Sequence, residues 1–183
     1  MDSCRKIKYM FPKGHAVAYV TMALRVAWFK VHYPLAYYCA YFTVRGDGFD
    51  ATTMILDPEE ARKKITEIRS MDKPTARDKD TVTCLELVLE MNLRGIRFLP
   101  VDLYRSDVRR FLIEDGNIRS PFISQPGLGE SVAVQIAEAR KEGEFLSIED
   151  LKKRGKAGSA VIDMLRAHGA LEGLTELNQI SMF

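Results

Sequence analysis

Two glycines bracket one leucine in QPGLGESVAVQIAEAR, residues 125–140, immediately before a helix-forming run. Val132, Ala133, Ile136 and Ala137 recur at helical spacing as one apolar stripe, so that helix starts close to Gly129. Glycine has no Cβ and accepts positive φ, which lets backbone N–H groups converge outward where the helix dipole is positive. Such a turn can cradle an anion, and a phosphate group suits it. A bare GxG serves equally as a tight connector between two helices, so the motif alone does not choose. A second unit, LKKRGKAGSAVIDMLRAHGAL, repeats the plan of short helix, glycine turn and striped helix, here through Val161, Ile162 and Leu165. Its turn is flanked by Lys152, Lys153, Arg154 and Lys156. Basic runs are most often solvated helix faces, but this one adjoins a turn able to present N–H groups to phosphate.

The elements that must position these turns follow from pattern and punctuation. Residues 14–33 are apolar on nearly every face, which predicts a central, buried helix. Pro34 ends or kinks it, and LAYYCAYFTV is read as a further helix up to the Gly46–Gly48 turn. Asp57 caps a polar helix that has Pro58 at its first position, Glu59 and Glu60 in its first turn, and an end near Arg69. SMDKPTARDKD, residues 70–80, reads as a loop in which Asp78 and Asp80 approach a helix start; a helix from Val82 to Leu93 follows and stops at Gly95. IRFLPVDLY is extended, and Asp115-Gly116 between two short alternating runs signals a hairpin. The predicted fold is mainly α with a small β component (α+β). It divides into residues 1–122, a helical domain over 123–173 with its boundary near 120–124, and a flexible tail over 174–183.

Composition limits the function classes. The 183 residues are 46% hydrophobic and 28% charged, which suits a soluble globular chain, and the formal charge of +2 announces no polyanion partner by itself. Three cysteines, at 4, 39 and 84, never form a CxxC, so neither a disulfide framework nor a zinc site is expected and a reduced cytosolic setting fits. Arg25 and Lys30 interrupt the longest apolar run short of the ~20 residues a bilayer requires. MDSCRKIKYMF lacks the apolar core of a signal peptide, so neither membrane nor export is expected. Asp47 and Asp50 in RGDGFD read as turn formers, with no third ligand at a convincing spacing for a metal.

PGLGESVAVQIAEAR resembles the helix-hairpin-helix element, whose hairpins bind duplex DNA phosphates without reading bases, and the two units resemble a tandem version. The resemblance implies duplex contacts through Gly127, Leu128, Gly129 and Ser131 in the first hairpin, and through Lys153, Arg154, Lys156, Gly158 and Ser159 in the second. Many such elements carry a lysine two places after the second glycine; Ser131 stands here, with Glu130 before it. The first hairpin is therefore expected to rely on backbone alone, and the second to carry more charge contact. At the chain's end, QISMF resembles the pentapeptide that binds the bacterial sliding clamp, through Gln179, Ile180, Ser181, Met182 and Phe183. A tail folded back on its own domain is the alternative.

The string KIKYMFPKGHAVAYVTMALRVAWFKVHYPLAYYCAYFTVR resembles the late fingers region of PolC-type DNA polymerase III α subunits of Gram-positive lineages, which makes residues 1–122 the end of the fingers, and VDLYRSD, GEFLSIEDLKKRGK and HGALEGL fit the same type in order after it. That resemblance covers essentially the whole chain and implies a DNA-directed DNA polymerase, with the deoxynucleoside triphosphate, duplex DNA and the sliding clamp as partners in the bacterial cytoplasm. Residues 1–33 carry a local charge of +5, from Arg5, Lys6, Lys8, Lys13, Arg25 and Lys30 against Asp2. Lys13 and His15, near a helix start, are the expected phosphate contacts of the incoming nucleotide. By resemblance Phe11 and Tyr19 shape its pocket; ordinary core aromatics is the other reading. His32 and Tyr33 are read as packing residues.

In the family, the carboxylates that hold two catalytic metal ions belong to a palm upstream, and no substitute occurs here. No catalytic residue and no cofactor is therefore expected in this chain, which should not polymerise alone; magnesium is expected for the complete enzyme. The competing class is a stand-alone DNA-binding adaptor that recruits the clamp without any polymerase, for which the YMFPKGHAVAY string would have no use.

Overall fold

Pro34 splits the first apolar segment into two helices, α1 (Lys13–His32) and α2 (Pro34–Arg45). It occupies the first position of α2, where its missing N–H costs nothing. The computed structural model describes residues 12–45, 49–55 and 57–177. Among them α3 (Ala51–Met54), α4 (Pro58–Arg69) and α5 (Ala76–Leu93) follow, then β1 (Phe98–Leu99), β2 (Leu112–Glu114) and β3 (Asn117–Arg119). The chain continues through a 3-10 turn (Phe122–Ser124), α6 (Glu130–Ala139), a second 3-10 turn (Arg140–Glu142), α7 (Ile148–Arg154) and α8 (Ser159–Ala167). The architecture is mainly α with a small sheet, as the sequence predicts.

Local chemistry sets most of these boundaries. The Asp57 side chain accepts the N–H groups of Glu59 and Glu60, and Pro58 opens α4. Asp50, read as a turn former, is the N-cap of α3 and accepts Thr52 N–H; Asp47 lies outside the described residues. The start of α5 differs from expectation: it begins at Ala76, not Val82, because Thr75 and Asp78 form a reciprocal capping box. The first turns of that helix are polar because they face solvent. Asp115 and Gly116, at φ 49° and 75°, make the two-residue left-handed turn that joins β2 to β3. The sheet order is β1-β3-β2, with β1 parallel and β2 antiparallel to β3.

Two apolar cores organise the chain. The first joins Tyr38 and Phe42 of α2 with Ile65, Leu85, Val88, Met91 and Ile118. Phe42, Phe49, Phe98 and Phe111 form an aromatic knot at its centre, with every ring pair 4.9–5.9 Å apart. The second core contains Leu128, Ile136, Leu151, Ile162 and Leu165 and also draws in Val101 and Leu103, so its packing reaches upstream of residues 120–124.

The expectation of a buried central helix over 14–33 is corrected. α1 forms, but it contains no buried residue, and Leu24 and Tyr19 are about two-thirds exposed. It packs against α2 and is tied to α5 at one end, where Lys30 Nζ lies 2.6 Å from Glu90 and Arg94 donates to the Lys30 carbonyl. All-round apolarity shows that a helix is suited to burial, whereas burial itself needs covering elements. Among the described residues no helix is long and apolar enough to cross a membrane.

VDLYRSD, residues 101–107, is the seam between the two cores. Asp102 accepts the N–H groups of Tyr104 and Arg105, Leu103 enters the second core, and the Tyr104 hydroxyl accepts Phe145 N–H. Ser106, fully buried, donates to the Ser120 carbonyl at 2.7 Å. Arg105 and Arg119 both bind Glu114, and Arg119 also donates to the Pro100 carbonyl.

The hydrogen bonds from Arg119, with Arg105 beside it, hold the Glu114 carboxyl down at about 2. A carboxyl depressed on folding contributes stability above its unfolded pKa and loses it as pH falls toward the folded value. The cluster's contribution, ~1–2 kcal/mol after solvent screening, should therefore be lost between about pH 4.5 and about pH 2. Urea midpoints at the two ends of that window should fall less in Glu114→Gln than in the parent chain.

Candidate nucleic-acid interface

The two glycine turns have the same backbone. In the first, Gly127 has φ 86°, Leu128 is buried, and Gly129 precedes α6 with φ −68° and ψ 148°. In the second, Lys156 has φ 50°, Ala157 is buried, and Gly158 precedes α8 with φ −69° and ψ 166°. KAG thus repeats GLG position by position, with a lysine in the left-handed place of the first glycine. The buried middle residue anchors each turn.

Neither helix carries a side-chain cap at Gly129 or Gly158. A Cβ built at either glycine would meet nothing within 4 Å, and neither φ is one that other residues avoid. Packing and backbone strain therefore do not require glycine at these two sites. The contrast is α7, whose start is closed: Ser147 accepts Asp150 N–H, while the N–H groups of Ile148 and Glu149 go to the carbonyls of Thr175 and Glu176. Residues 175 and 176, which lie within the tail expected over 174–183, are held against the start of α7 by that pairing. Gly155, by contrast, serves packing; a Cβ there would lie 2.8 Å from the Leu151 carbonyl oxygen and 3.0 Å from Ile136 Cγ1.

Among the expected duplex contacts, Gly127, Gly129 and Ser131 are exposed at the first turn; Lys153, Lys156, Gly158 and Ser159 are exposed at the second, with Lys152 beside them. Leu128 is 5% exposed and anchors the turn from inside. Arg154 is half-buried. Its guanidinium donates to the carbonyls of Ala139, Gly143 and Glu144, pairs with Asp150 at 3.0 Å, and lies 4.9 Å from the Phe145 ring centroid. A cation so engaged braces the hairpins from within. Sequence reading also missed an ion pair at the first turn, where Arg109 Nε reaches Glu130 Oε1 at 2.6 Å.

Residues 95–179 match the helix-hairpin-helix motif family. All 183 residues align with the PolC-type DNA polymerase III of Bacillus subtilis at 51% identity, of Halalkalibacterium halodurans at 52% and of Thermotoga maritima at 48%. The chain is homologous over its full length to PolC-type DNA polymerase III. It covers 13% of the length of each of those relatives.

The residues expected at the PolC nucleotide pocket lie at the exposed start of α1. Lys13 is its first residue, and the His15 and Tyr19 rings are 4.4 Å apart on one side. Phe11 lies outside the described residues, as do Gln179, Ile180, Ser181, Met182 and Phe183. At the other end of α1 the rings of His32 and Tyr33 lie 4.6 and 5.5 Å from that of Trp28 in tilted contacts, with all three side chains exposed. Among the described residues no group of three His, Cys, Asp or Glu side chains is placed to hold a metal ion.

Proposed function

We propose that this chain is the duplex-gripping and clamp-tethering portion of a replicative DNA-directed DNA polymerase of the PolC type, working in the bacterial cytoplasm. The observation that carries the reading is the pair of matching, uncapped glycine turns, the second surrounded by Lys152, Lys153 and Lys156, in a chain homologous to PolC. Two helix N-termini offer backbone donors to phosphates, and the lysines add sequence-independent attraction. The second turn carries the larger share because the exposed Lys152, Lys153 and Lys156 surround it, whereas GLGES brings no cation to the first.

The remaining parts follow from the same reading. Lys13 and His15 contact the triphosphate of the incoming deoxynucleotide, Phe11 and Tyr19 line its pocket, and Gln179 to Phe183 bind the sliding clamp. Magnesium-dependent nucleotidyl transfer belongs to the complete enzyme, so the chain alone leaves a primer unextended. Homology extending through α1 and α2 favours this over a stand-alone clamp-recruiting adaptor, which would need only the hairpins and the tail.

The experiment is binding of the 183-residue chain to primed duplex DNA over a salt series, with and without the bacterial sliding clamp, in parallel with a chain lacking residues 179–183. Steeply salt-dependent duplex binding, with clamp binding lost on deletion, is the expected result. Duplex affinity indifferent to salt would reduce the glycine turns to connectors. Clamp binding that survives the deletion would remove the tether.

A further inference from the structure

We propose that Arg109 is a duplex-phosphate contact of the first hairpin, delivered from outside the hairpin to provide the cation that GLGES lacks. The proposal deepens the duplex-grip reading and rests on it. Ser131 and Glu130 bring no positive charge to that mouth, and Glu130, the first residue of α6, places a carboxylate beside N–H groups that a phosphate would use. Arg109 reaches this carboxylate from the segment between β1 and β2.

Its placement is built. The Asp107 carboxylate accepts the N–H groups of Arg109 and Arg110 at 2.9 and 2.8 Å, which fixes the backbone that carries the side chain. The carbonyls of Asp107 and Val108 accept Phe122 and Ile123 N–H at 3.0 and 3.2 Å. These bonds join residues 107–108 to the turn that leads into the hairpin. The backbone that carries Arg109 is thus fixed to the turn before the hairpin, and its side chain reaches Glu130.

Stability does not account for the pair. The two side chains are 63% and 48% exposed, and an ion pair that open to water contributes little to folding. The pair does orient a guanidinium at the hairpin mouth. A phosphate entering there gains the first-turn N–H groups and a fork-shaped donor suited to two of its oxygens. The Glu130 carboxylate is then an internal anion that occupies Arg109 in the absence of DNA and is displaced by the phosphate.

The test compares Arg109→Gln, Arg109→Lys and Glu130→Gln chains in binding a short mixed-sequence duplex over a salt series, with thermal melts of each. Arg109→Gln should weaken binding about fivefold to tenfold near 0.1 M salt and reduce the salt slope by about 0.9, independent of sequence. Arg109→Lys should keep the slope. Glu130→Gln should strengthen binding about twofold to fivefold by removing the competing charge. A purely structural pair would move both glutamine variants in the same direction, or neither, while the parent still bound DNA. That result overturns the role of Arg109 and leaves the duplex grip standing. A parent chain with no salt-dependent binding overturns both.

Discussion

Arg154→Met should destabilise the second core by ~2–4 kcal/mol, although Arg154 lies in a basic run at a DNA-binding turn. The loss follows from what the side chain satisfies. Removing it leaves the carbonyls of Ala139, Gly143 and Glu144 without this donor, and Asp150, 9% exposed, without its cation. Asp150 also accepts Leu146 N–H, so the loop between α6 and α7 should loosen with it. Denaturant midpoints of parent and variant measure the effect. Lys153→Gln, one residue away and exposed, should change stability by less than ~0.5 kcal/mol and reduce the salt slope of duplex binding by about 0.9. Equal stability of the two variants would refute the bracing role.

Gly158→Asp should have the opposite signature, a more stable protein that binds DNA worse. Aspartate is a better cap than glycine, the backbone at φ −69° accepts it, and its Cβ has free space. The gain should be a few tenths of a kcal/mol to ~1 kcal/mol. The new carboxylate would take the first-turn N–H groups and repel phosphate, lowering duplex affinity about tenfold or more. Gly129→Asp should behave likewise in the first hairpin, by a smaller factor, because Glu130 already places an acid at that turn. If the glycines were only connectors, Gly158→Asp would gain stability and bind DNA unchanged.

These opposed expectations show where sequence is sufficient. Asp57-Pro58-Glu59-Glu60 and Asp115-Gly116 are legible because each interaction closes within a few residues, and the structure places their helix start and hairpin as read. The stripes of α6 and α8 are legible because periodicity records which face a helix buries. The capping box Thr75–Asp78 is equally local, but the polar first turns around it resemble a loop.

The features not legible depend on distant partners. Arg154 and Lys153 are adjacent cations in sequence; they separate only when the carbonyls of Ala139 and Gly143 arrive beside one of them. The tie between residues 175–176 and the start of α7 carries no side-chain signature, because it uses backbone groups on both sides. The equivalence of KAG and GLG hides because lysine occupies a left-handed position where glycine signals it in the first copy. The exposure of α1 depends on what covers it, which its own apolar residues do not encode.

The salt dependence of duplex binding tests the central claim most directly, measured on the parent chain and on the Gly129→Asp, Gly158→Asp double variant. The parent should show log affinity falling linearly with log salt, with a slope of several units and no preference for sequence. The double variant should remain folded while losing more affinity than Gly158→Asp alone, about tenfold to a hundredfold, as two phosphate sites close. A folded double variant that binds duplex as tightly as the parent would contradict the account, because the grip would then lie somewhere other than the two glycine turns.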